Sequence, residues 1–236
     1  LVAPGAGARG MTGSAWFIAG TDTGVGKTHA ACALLHALRA TGLRATGMKP
    51  VASGCAETPH GLRNEDALAL RDASSAPLPP YAQSNPVALR DALSPHLAAA
   101  HEGATIALPP LRAAFDALRA AHDAVVVEGV GGWRVPLAPG LFASEIPRQW
   151  DLPVILVVGL RLGCLNHALL SAEAIRADGR RLAGWIGNRI DPAMDAMEEN
   201  LATLRELLPA RCLGVLPHGA APAQAAAGID LAVLST

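Results

Sequence analysis

A strand, a glycine-rich loop and a helix near the N-terminus restrict the fold of this chain more than any other feature. The stretch Trp16–Thr28 reads WFIAGTDTGVGKT, and an Ala- and Leu-rich segment follows it. Its last three residues, Gly26, Lys27 and Thr28, are those of a phosphate-binding loop, in which freed backbone N–H groups and a helix N-terminus face a polyphosphate. The chain is therefore expected to bind a nucleotide.

The residues at the end of this loop each have a chemical role. Lys27 is placed to reach the terminal phosphates, and the Thr28 hydroxyl to hold Mg²⁺. One position departs from the strict pattern, because Thr21 stands five places before Gly26, where glycine is usual, and Gly20 comes one place earlier. The alternative, a chance Gly-rich turn, is disfavoured by the strand before the loop and the helix after it.

Apolar runs and amphipathic segments alternate along the rest of the chain. This alternation predicts a single α/β domain with a mostly parallel, doubly wound sheet and helices on both faces. Residues 73–94, rich in Pro, Ser and Ala, are expected to be irregular, with a helix starting at Ser94-Pro95. Besides the strand before the loop, the predicted strands are Arg44–Val51, Ala124–Glu128, Val154–Val158, Leu182–Asn188 and Leu213–Leu216, and the predicted helices are Thr28–Ala40, Asn64–Asp72, Pro109–Ala121, Asn166–Ala177 and Asp195–Leu208.

Polar residues cluster at the predicted carboxyl ends of the strands, where an open parallel sheet binds its ligands. Thr28, Asp66 and Glu128 supply hard oxygen atoms, which Mg²⁺ prefers. Glu128 follows three valines, and a carboxylate buried there needs a nearby cation. Two alternatives stay open: an arginine as the partner of Glu128, and a helix-dipole role for Asp66 in a first helical turn.

Lysine is rare in this chain. Of 19 basic residues, only Lys27 and Lys49 are lysine and the other 17 are arginine. A compact ammonium and a planar guanidinium are not interchangeable at a phosphate. Lys49 is therefore expected to neutralise charge during phosphoryl transfer, and Ser53, which follows the same strand, to hold the acceptor. Codon usage is the alternative explanation for Lys49.

Composition argues against several other classes. The net charge of −1 gives no basic surplus for nucleic acid, and no apolar run approaches the roughly 18 residues that a membrane span needs. The four cysteines and eight histidines have no metal-ligand spacing, which favours reduced thiols and a cytoplasmic location. Residues 1–14, small and Gly/Ala-rich, are expected to be disordered or foreign to the natural protein, and residues 15–236 to form the single domain.

Six segments together resemble the dethiobiotin synthetase family of the biotin pathway. They are GTDTGVGKT, MKPVASG, GLRNEDALAL, VEGVGGWRVPL, PVILVVGLRLGCLNHALL and LAGWIGNRI, and the match runs in order from about Phe17 to Leu234. Enzymes of this family use MgATP to convert diaminopelargonic acid and CO₂ to dethiobiotin, ADP and phosphate. One amine forms a carbamate, ATP phosphorylates it to a mixed anhydride, and the second amine closes the ring. The resemblance implies this ligase reaction here.

The resemblance also implies roles for individual residues. Lys27 and Lys49 match catalytic lysines, and Thr28, Asp66 and Glu128 match Mg²⁺ ligands. A homodimer is implied, in which the substrate carboxylate meets a helix N-terminus across the interface. The implied nucleotide-binding residues are Thr23, Gly24, Val25, Gly26, Lys27, Thr28, His29, Asp66, Glu128, Gly129, Val130, Gly131, Asn188, Arg189, Pro217, His218 and Gly219, and the implied substrate-binding residues are Ser53, Gly163, Cys164, Leu165 and Asn166.

Three other functions fit a loop of this kind. A partitioning or positioning ATPase, acting through protein partners, would carry a second lysine near the start of the loop, where this chain has Thr21-Asp22-Thr23. A synthetase-like domain of a cobalamin-pathway amidotransferase would need a further glutaminase domain, for which 236 residues leave no room. A catalytically idle nucleotide-binding module is disfavoured by the intact set Lys27, Thr28, Lys49, Asp66 and Glu128.

Overall fold

The structure, a computed structural model, describes residues 13–235. Its strands are β1 (Ser14–Gly20), β2 (Ala45–Met48), β3 (Val51–Ala52), β4 (Ala56–Thr58), β5 (Gly61–Arg63), β6 (Val87–Ala88), β7 (Ala124–Glu128), β8 (Pro136–Ala138), β9 (Leu141–Phe142), β10 (Val154–Gly159), β11 (Leu182–Asn188) and β12 (Cys212–Leu216). Its helices are α1 (Lys27–Ala40), α2 (Glu65–Asp72), α3 (Tyr81–Ser84), α4 (Pro95–Glu102), α5 (Leu108–Ala121), α6 (Glu145–Trp150), α7 (Cys164–Ala177), α8 (Met197–Leu207) and α9 (Pro222–Ala225), with 3₁₀ turns at Ala226–Gly228 and Leu231–Ser235.

A six-stranded sheet forms the centre, with strand order β12-β11-β10-β1-β7-β2. Every neighbouring pair in it is parallel. Strands joined this way require crossover connections, and helices cover both faces of the sheet. The predicted fold class, a mostly parallel doubly wound sheet flanked by helices, is confirmed.

The two faces of the sheet pack into two separate apolar clusters. Phe17 of β1 and Val127 of β7 face one cluster, which includes Phe115 of α5. Ile18 and Val126, one position along, face the other cluster, which contains the buried side of α1. Alternate side chains of a strand point to opposite faces, so a β-branched run buried on both sides is what this architecture needs.

Glu128, the last residue of β7, therefore points to the same face as Ala124 and Val126, the face covered by α1. The strand alternation directs its carboxylate toward the N-terminus of that helix. This side-chain direction brings the Glu128 carboxylate to Thr28 in the first turn of α1.

Several element boundaries differ from the sequence prediction. Strand β2 ends at Met48, so Lys49 and Pro50 follow the strand instead of lying in it, and α7 begins at Cys164, two residues earlier than predicted. Residues 73–94, expected to be irregular, contain α3 and β6. The hairpins β4–β5 and β8–β9 and the helix α6 were not predicted, because strands of two or three residues carry no periodic signal.

The predicted N-terminal boundary falls close to the start of the sheet. Ser14 belongs to β1 and pairs with Ala124, so one residue of the predicted N-terminal segment lies in the sheet. Residues 1–12 of the predicted N-terminal segment lie outside the described residues. Within residues 13–235, no helix combines the length and apolar character needed to cross a membrane.

Candidate active site

The phosphate-binding loop joins β1 to α1 and has the shape that its glycines allow. Gly24 and Gly26 have φ angles of 74° and 83°, in the left-handed region that favours glycine. Helix α1 begins directly after, at Lys27, so its first-turn N–H groups are open to a ligand in the loop. The segment is a backbone cradle for an anion.

Asn188, the last residue of β11, holds this loop from the neighbouring side. Its Nδ2 donates a hydrogen bond to the Val25 carbonyl oxygen at 3.0 Å. A β-carbon on Gly26 would lie 2.0 Å from that same Nδ2, so both the φ angle and the close approach of Asn188 restrict position 26 to glycine. The loop is thus fixed by β11 as well as by β1.

Lys27 lies back along the loop and is 7% exposed. Its Nζ donates to the carbonyl oxygen of Asp22 at 3.1 Å. Burial, followed by repulsion from Lys49, lowers the pKa of Lys27 to about 8. An anionic ligand would supply the charge partner that this buried ammonium needs.

Lys49 joins the candidate carboxylates. Its Nζ donates to Glu128 Oε1 at 2.6 Å, to Asp66 Oδ2 at 3.0 Å and to the Gly129 carbonyl oxygen at 3.2 Å. The Lys49 side chain is 5% exposed and the Glu128 side chain is fully buried, whereas Asp66 is 43% exposed. All three hydrogen-bonding positions of the ammonium are therefore filled.

The pKa shifts of this group agree with a charged cluster. Burial alone lowers the pKa of Lys49, but the charges of Glu128 and Asp66 outweigh it, and the pKa is raised. Burial raises the pKa of Asp66, but the Lys49 charge, with hydrogen bonds from Lys49 and Thr28, outweighs it, and the pKa is lowered. Lys49 is therefore a cation and Asp66 an anion at neutral pH.

Mg²⁺ fits the residues present. Thr28 Oγ1 donates to Glu128 Oε1 at 2.9 Å, which brings hydroxyl and carboxylate together. The other oxygen, Glu128 Oε2, is buried and has no hydrogen-bond partner among the described residues. Among residues 13–235, no three His, Cys, Asp or Glu side chains lie close enough together to hold a metal ion by themselves. Mg²⁺, however, commonly takes one or two carboxylates and completes its coordination shell with phosphate oxygens and water.

These elements surround a cavity of about 910 Å³. Most of the predicted site residues line its wall: Thr23, Gly24, Gly26, Lys27, Thr28, His29, Lys49, Ser53, Asp66, Glu128, Val130 and Gly131. Val25 and Gly129 lie behind the wall, where each presents a carbonyl oxygen to a side chain of the site, Asn188 and Lys49 respectively. The structure thus brings the two lysines, both carboxylates and Ser53 to one place.

Seven further lining residues were missed by the sequence reasoning. Asn64 is the N-cap of α2, and its side chain accepts from the Ala67 N–H. Ser94 and Pro95 form the start of α4, a helix start that the sequence did indicate. Position in the chain gave no sign that these residues reach the cavity. The other lining residues that were missed are Ala52, Ala92, Leu93 and Val135.

Two predicted groups lie outside the cavity wall. The candidate adenine contacts Arg189, Pro217, His218 and Gly219 gather beside the loop, where the Arg189 N–H donates to the Leu216 carbonyl oxygen and His218 Nδ1 lies 2.9 Å from the Arg189 carbonyl oxygen. The candidate carboxylate-binding group, Gly163, Cys164, Leu165 and Asn166, forms the start of α7, which follows a left-handed glycine with φ 93°.

Comparison with known proteins gives the family of the chain. The ATP-dependent dethiobiotin synthetase BioD of Xylella fastidiosa is 58% identical over 208 residues, which are 88% of this chain and 92% of that protein. The chain belongs to the dethiobiotin synthetase family. The synthetase of Xanthomonas euvesicatoria is 55% identical over 223 residues, 94% of this chain and 99% of its own length. A family profile described as an AAA domain matches residues 14–224.

Solved structures of distant proteins share the fold of this synthetase family member. The MinC:MinD cell division protein complex of Aquifex aeolicus aligns with a TM-score of 0.50 at 16% identity, over 86% of this chain and 81% of that one. The signal recognition particle receptor FtsY of Elizabethkingia anophelis aligns with a TM-score of 0.52 at 14% identity, over 94% of this chain and 63% of that one. At such identities the likeness concerns the fold alone.

Proposed function

We propose that this chain catalyses the MgATP-dependent closure of diaminopelargonic acid and CO₂ to dethiobiotin, with release of ADP and phosphate. The family membership and the cavity support this reaction together. The observation that carries the proposal is the buried Lys49 ammonium beside the phosphate-binding loop, within 3.0 Å of two carboxylates. A carbamate is a weak nucleophile, and its phosphorylation needs charge neutralisation and placement more than a strong base.

The position of each residue supports the role that we propose for it. The loop N–H groups and Lys27 bind the ATP phosphates. Lys49 stabilises the negative charge that develops as the carbamate oxygen attacks the terminal phosphorus and the bond from that phosphorus to the bridging oxygen breaks, with ADP as the leaving group. Thr28, Asp66 and Glu128 would hold Mg²⁺, which when bound neutralises phosphate charge and orients the phosphates. The second amine then attacks the carbonyl carbon of the mixed anhydride, and the C–O bond to phosphate breaks. Ser53, which also lines the cavity, orients the diamine.

The remaining site residues are proposed to act around this centre. Asn188, Arg189 and the segment 217–219 would contact the adenine, because they adjoin the loop through the Asn188–Val25 hydrogen bond. The N-terminus of α7 would receive the substrate carboxylate, since first-turn N–H groups favour an anion. We also propose that residues 15–236 act as one domain in the cytoplasm, consistent with the four free cysteines Cys32, Cys55, Cys164 and Cys212.

A homodimer is part of the proposal. Leu162, immediately before the α7 N-terminus, is 95% exposed, and Leu170 on the same helix is 57% exposed. Leu162→Asp and Leu170→Asp should convert a dimer to a monomer in sedimentation velocity measurements. Leu207→Asp is the matched control, because Leu207 is 51% exposed on α8. Equal sedimentation of all four proteins would contradict the interface.

Fixation of labelled bicarbonate into an acid-stable product tests the reaction itself. We expect label to be fixed only when diaminopelargonic acid and MgATP are both present. Lys49→Ala should lose most turnover while it keeps its affinity for nucleotide, and a variant with wild-type turnover would remove Lys49 from the mechanism. ATP hydrolysis without fixation in the wild-type protein would refute the synthetase assignment and favour a switch ATPase.

A further inference from the structure

The hydroxyl group of Tyr81 connects two segments that carry candidate catalytic residues. It accepts a hydrogen bond from the Asn64 backbone N–H at 2.8 Å and donates one to Asn85 Oδ1 at 3.0 Å. Asn64 and Asn85 are 7% and 3% exposed. Tyr81 lies in α3, within the region that the sequence predicted to be irregular, and it is the only tyrosine in the chain.

On one side the connection leads to Asp66. Asn64 is the N-cap of α2, where its Oδ1 accepts from the Ala67 N–H at 3.3 Å, and Asp66 lies in the first turn of that helix. Asn64 Nδ2 also donates to the carbonyl oxygen of Ser53 at 3.4 Å. Because an N-cap fixes where its helix begins, the Tyr81 hydroxyl is linked through Asn64 to the helical turn that carries Asp66.

On the other side the connection leads to Lys49. Asn85 Nδ2 donates to the Lys49 carbonyl oxygen at 2.8 Å and to the Val87 carbonyl oxygen at 3.1 Å. The Lys49 backbone N–H donates to the Ser84 carbonyl oxygen at 2.7 Å. Both backbone polar groups of Lys49 are therefore held by the segment that carries α3, just beyond the end of β2.

The ring of Tyr81 is itself held in place. The guanidinium of Arg63 lies over it, 4.1 Å from the ring centre, and that of Arg71 lies 5.7 Å away. Arg71 also donates to the Pro79 carbonyl oxygen at 2.6 Å. Burial raises the pKa of Tyr81, so the hydroxyl stays a donor at neutral pH. Two cations at the ring face and two hydrogen bonds leave it little freedom.

We propose that Tyr81 and Asn85 are positioning residues that set the Lys49 ammonium and the Asp66 carboxylate at their working separation. This inference rests on the proposed synthetase function, which gives Lys49 and Asp66 their roles. Helix α3 has only four residues, and a helix this short is not stable by itself. We therefore expect the hydrogen bonds of Tyr81 and Asn85 to hold α3 against the segments that carry Lys49 and Asp66. Neither residue lines the cavity, and neither touches substrate in this proposal.

The same hydrogen bonds would also be explained if Tyr81 and Asn85 only stabilised the fold. A variant at Ser74 separates this stabilising role from the positioning role. The Ser74 hydroxyl accepts from the Gly47 N–H at 2.9 Å and donates to the Leu70 carbonyl oxygen at 2.7 Å. It also accepts from Thr46 Oγ1 at 3.4 Å, so it makes three hydrogen bonds, whereas the Tyr81 hydroxyl makes two. It also joins β2 to α2, but at the far end of α2 from Asp66.

The test compares Tyr81→Phe, Asn85→Asp and the control Ser74→Ala. Three quantities are measured: the urea midpoint of unfolding, kcat, and the Mg²⁺ dependence of ATP binding by calorimetry without diamine. Loss of an outer residue that orients a metal ligand typically costs 10- to 100-fold in affinity or activity. We expect Tyr81→Phe to weaken Mg²⁺-dependent ATP binding about 10-fold and to lower kcat by a similar factor.

Asn85→Asp keeps the acceptor for Tyr81 but loses the donor to the Lys49 carbonyl oxygen. We therefore expect it to lower kcat about 10-fold and to change Mg²⁺-dependent binding by less than about threefold. Ser74→Ala should lower the urea midpoint at least as much as Tyr81→Phe does and leave the other two quantities unchanged. If one of the two site variants does not fold, the other still carries the comparison.

The inference is overturned if Tyr81→Phe and Asn85→Asp keep wild-type kcat and Mg²⁺-dependent binding. It is also overturned if Ser74→Ala shifts these quantities as much as they do. Failure of the proposed function would look different. In that case wild-type protein would fix no bicarbonate, and the calorimetric difference between Tyr81→Phe and Ser74→Ala would still report on the position of Asp66.

Discussion

Replacing Lys49 by methionine should destabilise the protein strongly when no Mg²⁺ is present. The substitution removes the ammonium that contacts Glu128 at 2.6 Å and leaves a fully buried carboxylate. Thr28 Oγ1 would remain as its hydrogen-bond donor. Removing one partner of a buried ion pair costs about 3–5 kcal/mol, because the other charge is left uncompensated. For a chain of this size the unfolding midpoint should fall by roughly 6–20 °C.

A double-mutant cycle in urea tests this magnitude. Wild type, Lys49→Met, Glu128→Gln and the double variant are unfolded in urea at pH 7 in EDTA. Their free energies of unfolding are compared, provided that the dependence of these free energies on urea concentration is the same for all four proteins. Lys49→Met/Glu128→Gln should recover most of the loss, because the carboxamide has nearly the shape of the carboxylate and carries no charge. Added Mg²⁺ should stabilise Lys49→Met more than wild type, since a second cation can replace the ammonium.

Two results would refute this reasoning. The first is a Lys49→Met protein within about 0.5 kcal/mol of wild type in EDTA, the range of ordinary surface substitutions. It would mean that Glu128 accepts a proton or reaches water without cost. The second is a double variant whose loss equals the sum of the single losses, because the cycle would then contain no coupling between Lys49 and Glu128.

Further expected outcomes concern the loop, the metal ligand and a buried thiol. Gly26→Ala should lower the free energy of unfolding by about 1–3 kcal/mol and ATP affinity more than 10-fold, because of the positive φ and the contact with Asn188. Gly24→Ala has open space around its β-carbon and should lose only the φ contribution. Equal losses for the two variants in thermal unfolding and ATP-binding assays would contradict the contact. Glu128→Ala should weaken the Mg²⁺ dependence of turnover, and an unchanged titration would count against its ligand role. Burial raises the pKa of Cys32 from 9.0 to about 12, so its contribution to stability is complete below pH 9 and is lost as pH rises toward 12, by up to about 1.4 kcal/mol per pH unit. Cys32→Ala should therefore show a shallower fall in urea midpoint between pH 9 and 11, and an identical slope would speak against the shift.

The sequence was sufficient where a residue's place depends on the backbone pattern alone. Lys27 and Thr28 follow a strand and open a helix, and Glu128 ends a β-branched run. The rule that parallel strands collect their ligands at one edge therefore brings these residues together without knowledge of any contact. Their roles in catalysis and metal binding stay predictions.

Contacts that depend on tertiary packing were beyond sequence reasoning. Tyr81 lies in a four-residue helix between prolines, and nothing local indicates that its hydroxyl joins Asn64 to Asn85. The fit of Asn188 against Gly26 likewise joins residues 162 positions apart. A local signal did exist for the start of α7, because Gly163 stands directly before it and glycine is typical of an element boundary.

The concentration of both lysines in one cavity has a consequence for chemical labelling. Lys27 and Lys49 are 7% and 4% exposed, and every other basic side chain apart from histidine is arginine. Amine-directed acylating reagents will therefore find ε-amino groups only inside the nucleotide cavity. Lys27, with a pKa of about 8, offers the larger share of neutral amine. The label found on the two lysines by peptide mapping, with and without bound nucleotide, becomes a measure of occupancy that excludes the α-amino group, which also reacts. Coupling to an amine-reactive support cannot proceed through a lysine elsewhere on the surface.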